Sequence, residues 1–340
     1  MGSSKKILVT GGAGYIGAHT VVELVNAGYE VVAIDNLVRS DLTLITGIEK
    51  ITGKKVNFHK GDCRDKKFLT ELFRSEGPVD GVMHFAALKS VGESVQKPLE
   101  YHDNNIGSLT ALLQVMQQQG VKDFIFSSSC TVYGQPDSIP VDEQAPFKKA
   151  ESPYGLTKQI CELILEDVYK TGFRIISLRY FNPIGAHPSA HIGEMPIGTP
   201  NNLVPFITQT AAGWRDRLTV FGNDYNTPDG SCIRDFIHVV DLAEAHVKAL
   251  SYLHNTRAHN LYEAYNVGTG NGVSVLQLVN AFIKKTGAKL PFRIGPRRPG
   301  DVEKVFANPT KINRAMNWKP RYSPEDALVH AWAWQQKLSR

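Results

Sequence analysis

The sequence predicts an α/β protein built as a doubly wound parallel sheet, with a smaller C-terminal α/β lobe. Three observations point there. Six short apolar runs alternate with amphipathic stretches in the first half of the chain. A run that is apolar throughout suits a strand covered on both faces, and helices between such strands make parallel crossovers. The unusual polar and glycine clusters fall just after those runs. Past about Tyr180 the texture changes, because Pro183, Pro188, Pro196, Pro200 and Pro205 crowd a span that suits loops better than another strand–helix unit. The chain has 340 residues, more than one typical domain, with no repeat or low-complexity tract. We assign 1–182 to the sheet domain and 183–340 to the second lobe, with the segment near 234–251 placed to return to the sheet.

The expected strands are Lys6–Val9, Val31–Ile34, Val56–His59, Gly81–Phe85, Phe124–Phe126 and Ile175–Leu178. The first runs into Thr10-Gly11-Gly12-Ala13-Gly14-Tyr15-Ile16-Gly17, which opens a helix carrying Val21, Leu24 and Val25. A strand, a glycine turn and a helix in that order form a phosphate-binding turn of Rossmann type. The glycines let the backbone bend and approach a pyrophosphate, and the helix start offers unpaired N–H groups. Asp35 and Asn36 follow the second strand, where a carboxylate accepts the adenosine ribose hydroxyls, so NAD is favoured over NADP. Arg39 reads as a solvated loop arginine. Asp62 and Cys63 follow the third strand, and Asp62 reads equally well as the cap of the next helix. Phe85-Ala86-Ala87 with Lys89 follows the fourth strand, and Ser127-Ser128-Ser129 ends the fifth. Ligands bind at the carboxyl ends of strands in open α/β sheets, so these clusters converge on one crevice; Lys89 and Asn104 lie beside strand ends facing it, with a plain surface position as their alternative.

Ser152 is placed to cap a helix beginning Pro153-Tyr154-Gly155-Leu156-Thr157-Lys158, in which the i to i+4 spacing stacks Tyr154 and Lys158 on one face. Tyr154 is the one tyrosine among twelve with a lysine four residues on. Removing a hydroxyl proton as hydride leaves the same carbon needs a base active near neutrality, whereas free tyrosine titrates at about 10. A fall of roughly three units, ~4 kcal/mol, lies within reach of a nearby Lys⁺ and an oxidised nicotinamide. Ser129 would hydrogen-bond the reacting oxygen. Tyr180 and Phe181, after the sixth strand, read equally as nicotinamide contacts or as core. Phe236–Val240 is strand-like, with Asp241 as a helix cap behind it.

The formal net charge of +5 is small for this length and its basic residues are scattered, so a nucleic-acid footprint is absent. Four cysteines without a CxxC pair argue against a zinc site or a disulfide framework and for a reducing compartment. No apolar stretch reaches membrane-spanning length. The start, Met1 to Lys6, lacks the long apolar region of a signal peptide, and Lys6 stands where a myristoylation signal takes Ser or Thr. The expectation is a cytoplasmic protein with no membrane role.

Together these residues resemble the extended short-chain dehydrogenase/reductase family, and within it the UDP-galactose 4-epimerases. The resemblance runs through VTGGAGYIG, HFAALKSVGESVQKPLEYHDNN, FSSSCTVYG, SPYGLTK, RYFNPIGAHPS, PNNLVPFI, GNDYNTPDGSCIRDFIHVVDLA and PRRPGD. It implies reversible interconversion of UDP-galactose and UDP-glucose with NAD regenerated each turnover, and catalysis by Tyr154, Lys158 and Ser129. The cofactor residues it implies are Gly11, Gly14, Tyr15, Ile16, Gly17, Asp35, Asn36, Asp62, Cys63, Phe85, Ala86, Lys89, Asn104, Ser127, Tyr154, Lys158 and Tyr180. For the UDP-sugar it implies Lys89, Ser129, Tyr154, Phe181, Asn182, Asn202, Leu203, Arg234, Arg298, Asp301 and Val305, the two arginines being suited to a diphosphate.

Bacterial members of the family often carry a tyrosine where this chain has Val305, so the pocket is expected to admit UDP-GlcNAc and UDP-GalNAc as well. Ala87 stands where many members have glycine, with no functional loss inferred. A homodimer paired through helices near Asn105–Gln118 and Pro153–Tyr169 is also implied. The alternatives are a nucleotide-sugar 4,6-dehydratase and a non-catalytic NAD-sensing protein of the same fold. The first needs an Asp-Glu pair where this chain has Cys130-Thr131, and the second can do without Tyr154. A metal enzyme has little support: there are eleven histidines, but no HExxH, and His187 and His191 sit in a Pro-broken loop.

Overall fold

The computed structural model describes residues 4–298 and 301–339. Met1 to Ser3 of the amino-terminal reading, and Pro299 and Gly300 of the PRRPGD motif, lie outside the described residues. Two compact units are resolved: the first comprises residues up to Gly134, Phe147–Arg179 and Ala243–Tyr265, and the second Gln135–Pro146, Tyr180–Leu242 and the residues from Asn266 onward.

The first unit alternates β1 (Lys6–Thr10), α1 (Tyr15–Asn26), β2 (Glu30–Asp35), α2 (Leu42–Thr52), β3 (Asn57–Lys60), α3 (Lys66–Glu76), β4 (Gly81–His84), α4 (Val91–Gln96), α5 (Pro98–Gln118), β5 (Asp123–Ser129), α6 (Pro153–Val168) and β6 (Arg174–Tyr180). All six expected strands are present. Their burial explains why they were legible: β4 and β5 are buried at every position and β1 at all but Lys6, as strands covered on both faces must be. Leu8, Val32, Ile34, Val82, Phe124 and Phe126 join Leu109, Leu112 and Leu165 of α5 and α6 in one apolar core. Helix starts follow the expected chemistry. Asp41 caps α2 through the Thr43 N–H, and Ser152 caps α6 through the Gly155 N–H with Pro153 in the first turn.

The strands lie in the order β11 (Leu261–Val267), β6, β5, β4, β1, β2 and β3, with β1·β2, β1·β4, β2·β3 and β4·β5 parallel. The direction of winding reverses between β1 and β4, the place where such sheets open a ligand crevice. The seventh strand is β11 (Leu261–Val267), preceded by α8 (Val239–Asn255). The strand-like Phe236–Val240 behaves differently from its expectation. Only Phe236–His238 (β10) is extended, and it pairs in parallel with β7 (Asn182–Ile184) in a separate two-stranded sheet. Asp241 does not cap a helix either. It lies in the first turn of α8, and its buried carboxylate accepts the N–H groups of Arg321 and Tyr322, both at 3.0 Å.

The second unit also holds α7 (Leu203–Ala211), β8 (Leu218–Phe221), β9 (Ile233–Arg234), β12 (Val273–Ser274), α9 (Val275–Thr286), β13 (Phe292–Gly295), β14 (Lys304–Val305), α10 (Thr310–Met316) and α11 (Pro324–Leu338). Ile207, Val220, Leu278, Phe282 and Leu328 form its core. All four cysteines are free thiols. No described helix is long and apolar enough to cross a membrane.

Two histidines, His84 buried and His187 partly buried, make stability depend on pH. Burial, with the Lys158 charge adding to it, pushes the His84 imidazole down to about 3; burial, with His330 and His191 nearby, pushes His187 down to about 4. Both stay neutral in the folded chain where an unfolded histidine, at about 6.5, takes up a proton. The unfolded chain then binds more protons, so this contribution is complete above about pH 6.5 and is lost as pH falls toward the folded values. Asp235 and Asp241, raised by burial, act in the opposite sense. The expected result is a melting temperature that drops between about pH 7 and pH 5, and drops less in His187→Gln. Equal drops in the two proteins would remove His187 from the account.

Candidate active site

The glycine turn between β1 and α1 owes its shape to contacts that allow no side chain. Gly11 sits at φ +68°, and a Cβ there would stand 2.8 Å from the Ala86 nitrogen. A Cβ on Gly17 would stand 2.1 Å from the Gly11 carbonyl oxygen, so the helix could not pack against the turn. Gly14 differs. It is the N-cap residue of α1, and a Cβ there would meet only the Gly11 carbonyl, at 3.1 Å, with open space beyond. No side chain caps α1 and no acidic residue occupies its first turn, so nothing of its own charge would repel an anion at the helix start. These features fit a dinucleotide pyrophosphate.

Asp35, at the end of β2, is held by the Ala13 N–H at 3.2 Å, the Leu37 N–H at 2.9 Å and the Ser40 hydroxyl at 2.7 Å. Its carboxylate is thereby fixed beside the glycine turn. Asn36 donates to Asp62 at 3.3 Å, which brings the second and third strand ends together. Asp62 is not the helix cap it equally resembled: Asp65 caps α3, while Asp62 binds Arg64 at 2.8 Å and 3.1 Å. Those Arg64 hydrogen bonds hold the Asp62 carboxyl below its usual range, against burial. Cys63 is buried, and burial pushes its thiol up to about 12, so it is a neutral packing group. Arg39 is not merely solvated, since it pairs with Glu93.

The loop after β4 runs against the glycine turn, with Ala86 N–H donating to the Thr10 hydroxyl at 3.3 Å. Phe85 packs on His246 at 4.7 Å between ring centroids, and the Lys89 ammonium lies 5.9 Å from the Tyr15 ring centre. Asn104 donates to Asn105 at 3.0 Å. Sequence reasoning passed over Asn105, which anchors this loop: it accepts the Leu88 N–H at 2.8 Å and donates to the Leu88 carbonyl and the Thr157 hydroxyl, each at 3.0 Å. The signal was faint, a polar residue on the buried side of α5. Thr157 lies between Tyr154 and Lys158, so Asn105 ties the fourth strand end to the helix carrying that pair.

Tyr154 and Lys158 are both buried on α6, and the Lys158 ammonium lies 6.0 Å from the Tyr154 ring centre. It donates to the Ser127 carbonyl at 2.6 Å and stands over the Phe126 ring at 4.7 Å. Burial pushes its pKa down to about 8, with the Glu162 carboxylate opposing, so Lys158 still carries most of its charge near neutrality. The Ser129 hydroxyl accepts the Thr131 N–H at 3.2 Å, which leaves its own proton to donate. The structure therefore brings Ser127, Ser129, Tyr154 and Lys158 to one strand end and the first two turns of one helix. That arrangement can move a proton between a buried phenol and a bound hydroxyl.

In the second unit, Asp301 gathers the two arginines: Arg298 reaches it at 2.7 Å and 3.2 Å and Arg234 at 3.6 Å. Val305 is buried and lies in register with Arg234 across β14 and β9. Asn202 precedes Leu203 at the start of α7 and donates to Glu194 at 2.6 Å. Asn182 begins β7, its N–H donating to the Asp235 carbonyl at 3.0 Å. Tyr180 and Phe181 are both buried, as their core reading requires.

The family described as GDP-mannose 4,6 dehydratase matches residues 8–330. The chain is 50% identical over 332 residues to the UDP-glucose 4-epimerase of Dictyostelium discoideum, covering 97% of this chain and 95% of that one. It is 50% identical to the bifunctional protein GAL10 of Pachysolen tannophilus over 97% of its own length, but spans only 49% of that longer protein. Among solved structures, it resembles the UDP-glucose 4-epimerase of Stenotrophomonas maltophila, with bound NAD and formylated UDP-arabinopyranose. That match has a TM-score of 0.95 and 48% identity, covering 98% of this chain and 99% of the other.

Proposed function

Because the chain belongs to the UDP-glucose 4-epimerase family, within the wider group described as GDP-mannose 4,6 dehydratase, we propose a residue-by-residue account of how it inverts the C4 carbon of UDP-galactose and UDP-glucose. The enzyme is an NAD-dependent epimerase. NAD supplies a hydride acceptor that returns the hydride within the same turnover. Gly11, Gly14, Tyr15, Ile16 and Gly17 would hold its pyrophosphate at the start of α1, with Asp35 on the adenosine ribose and Asn36, Asp62 and Cys63 also against the cofactor. Phe85, Ala86, Lys89, Asn104, Ser127 and Tyr180 complete the set, with Tyr154 and Lys158 serving cofactor and substrate alike.

Tyr154 takes the proton of the sugar 4-hydroxyl and gives it back after the keto sugar has turned its other face. Lys158 supplies the charge that favours the phenolate, and Ser129 donates to the reacting oxygen. Arg234 and Arg298 bind the diphosphate, while Asp301, Asn182, Asn202, Leu203 and Phe181 contact sugar and uridine, and Val305 limits the size of the sugar. The observation that carries this reading is the buried Tyr154–Lys158 pair beside Ser127 and Ser129, with Cys130 and Thr131 supplying no carboxylate for elimination. The test is incubation with UDP-galactose without added cofactor. UDP-glucose is the expected product, and net NADH would instead indicate a dehydrogenase.

A homodimer in the cytoplasm follows the same reading. The paired helices α5 and α6 and the adjoining α4 expose Val95, Leu99 and Leu163 to water, apolar surface suited to a second copy. Sedimentation should give the mass of two chains. The mass of one would refute the dimer.

A further inference from the structure

Tyr154 and Lys158 are two members of a longer series. Glu162 follows at the next i+4 position on the buried side of α6 and is 1% exposed. Both of its carboxylate oxygens are engaged. Ser128 donates to one, Arg179 donates at 2.6 Å, 3.0 Å and 3.1 Å, and the Tyr262 hydroxyl donates at 2.9 Å. Arg179 in turn lies against the Tyr133 and Phe147 rings, at 5.1 Å and 5.0 Å, and donates to the Tyr133 hydroxyl at 3.0 Å. Burying such a pair is costly unless every polar group finds a partner, and an apolar pair of similar size would stabilise the core as well. Its position suggests a use beyond stability.

Ser128 is the middle residue of the three that end β5. Its neighbour Ser127 gives Lys158 a carbonyl acceptor, and its other neighbour is Ser129. We propose that Glu162 is a positioning residue: by clamping Ser128 against α6 it sets the Ser127 carbonyl that holds the Lys158 ammonium, and the Ser129 hydroxyl beside it. The proposal rests on the roles given above to Tyr154, Lys158 and Ser129. The titratable and charged groups facing Lys158 are His84 of β4, Tyr154, Cys161 and Glu162 of its own helix, and Arg179 of β6 behind the carboxylate. His84 is held neutral and burial pushes the Cys161 thiol up to about 12, so Glu162 is the anion among them.

The test compares Glu162→Gln and Ser128→Ala with wild-type enzyme, measuring kcat and KM for UDP-galactose, the pH profile of kcat and the melting temperature. Glu162→Gln should lower kcat about tenfold or more with KM within about threefold, because the reacting groups are misplaced while the substrate contacts stay. Its alkaline limit should move to lower pH, since Lys158 loses the anion that opposes its deprotonation. Ser128→Ala should lower kcat several-fold with that limit unmoved. Glu162→Gln with wild-type kcat and pH profile and only a lower melting temperature would reduce the network to packing and overturn the proposal. Should Glu162→Gln fail to fold, Ser128→Ala decides alone, wild-type kcat overturning the proposal. An inactive wild-type protein would remove the epimerase reading and this proposal together, whereas an active one beside unchanged variants removes only the proposal.

Discussion

Tyr154→Phe should lower kcat on UDP-galactose by about a thousandfold, ~4 kcal/mol of transition-state stabilisation, while leaving KM and bound NAD nearly unchanged. The substitution removes one oxygen and little else. Tyr154 packs with Leu88 and Tyr101 in a small apolar cluster, and a phenylalanine ring keeps those contacts. Lys158 keeps its acceptor in the Ser127 carbonyl, so its charge and position survive. What disappears is the group that takes the sugar proton as hydride leaves. Steady-state rates with a coupled UDP-glucose readout, beside the absorbance of bound cofactor, check the claim. A variant within tenfold of wild type would show that another group carries the proton.

The features that were legible in the sequence share a physical cause. β1, β4 and β5 are buried on both faces, so their apolar runs are unbroken, and the candidate site residues of this unit follow at strand ends that topology brings together. β11 escaped notice because its first three positions are only partly buried and it carries Glu263 and Asn266, the mixed pattern of an edge strand. β9 and β14, which hold Arg234 and Val305, are two residues long and leave no period to read. Asp62 and Asp65 are alike as helix caps in sequence; in the fold Asp65 takes the Lys67 and Phe68 N–H groups, which frees Asp62 for Arg64 and Asn36. Asn105 and Glu162 resemble the solvated polar positions of any surface helix. Their burial depends on partners far along the chain, Leu88 and Thr157 for one and Ser128, Arg179 and Tyr262 for the other.

Val305→Tyr should abolish turnover of UDP-GlcNAc, by at least about 100-fold, and leave UDP-galactose within about threefold. Val305 lies on β14 in register with Arg234 of the paired strand β9, so it sits directly across from the arginine proposed for the diphosphate. An N-acetyl group adds bulk to the sugar that a plain hydroxyl does not. On the proposed reading, a small residue at this position leaves room for it and a tyrosine removes that room. The residue is buried, so overpacking could cost about 1–3 kcal/mol of stability. The UDP-galactose rate separates the two effects, since a misfolded variant loses both substrates and a narrowed pocket loses only the N-acetylated one. Wild-type enzyme unable to turn over UDP-GlcNAc would show that something other than Val305 limits the sugar.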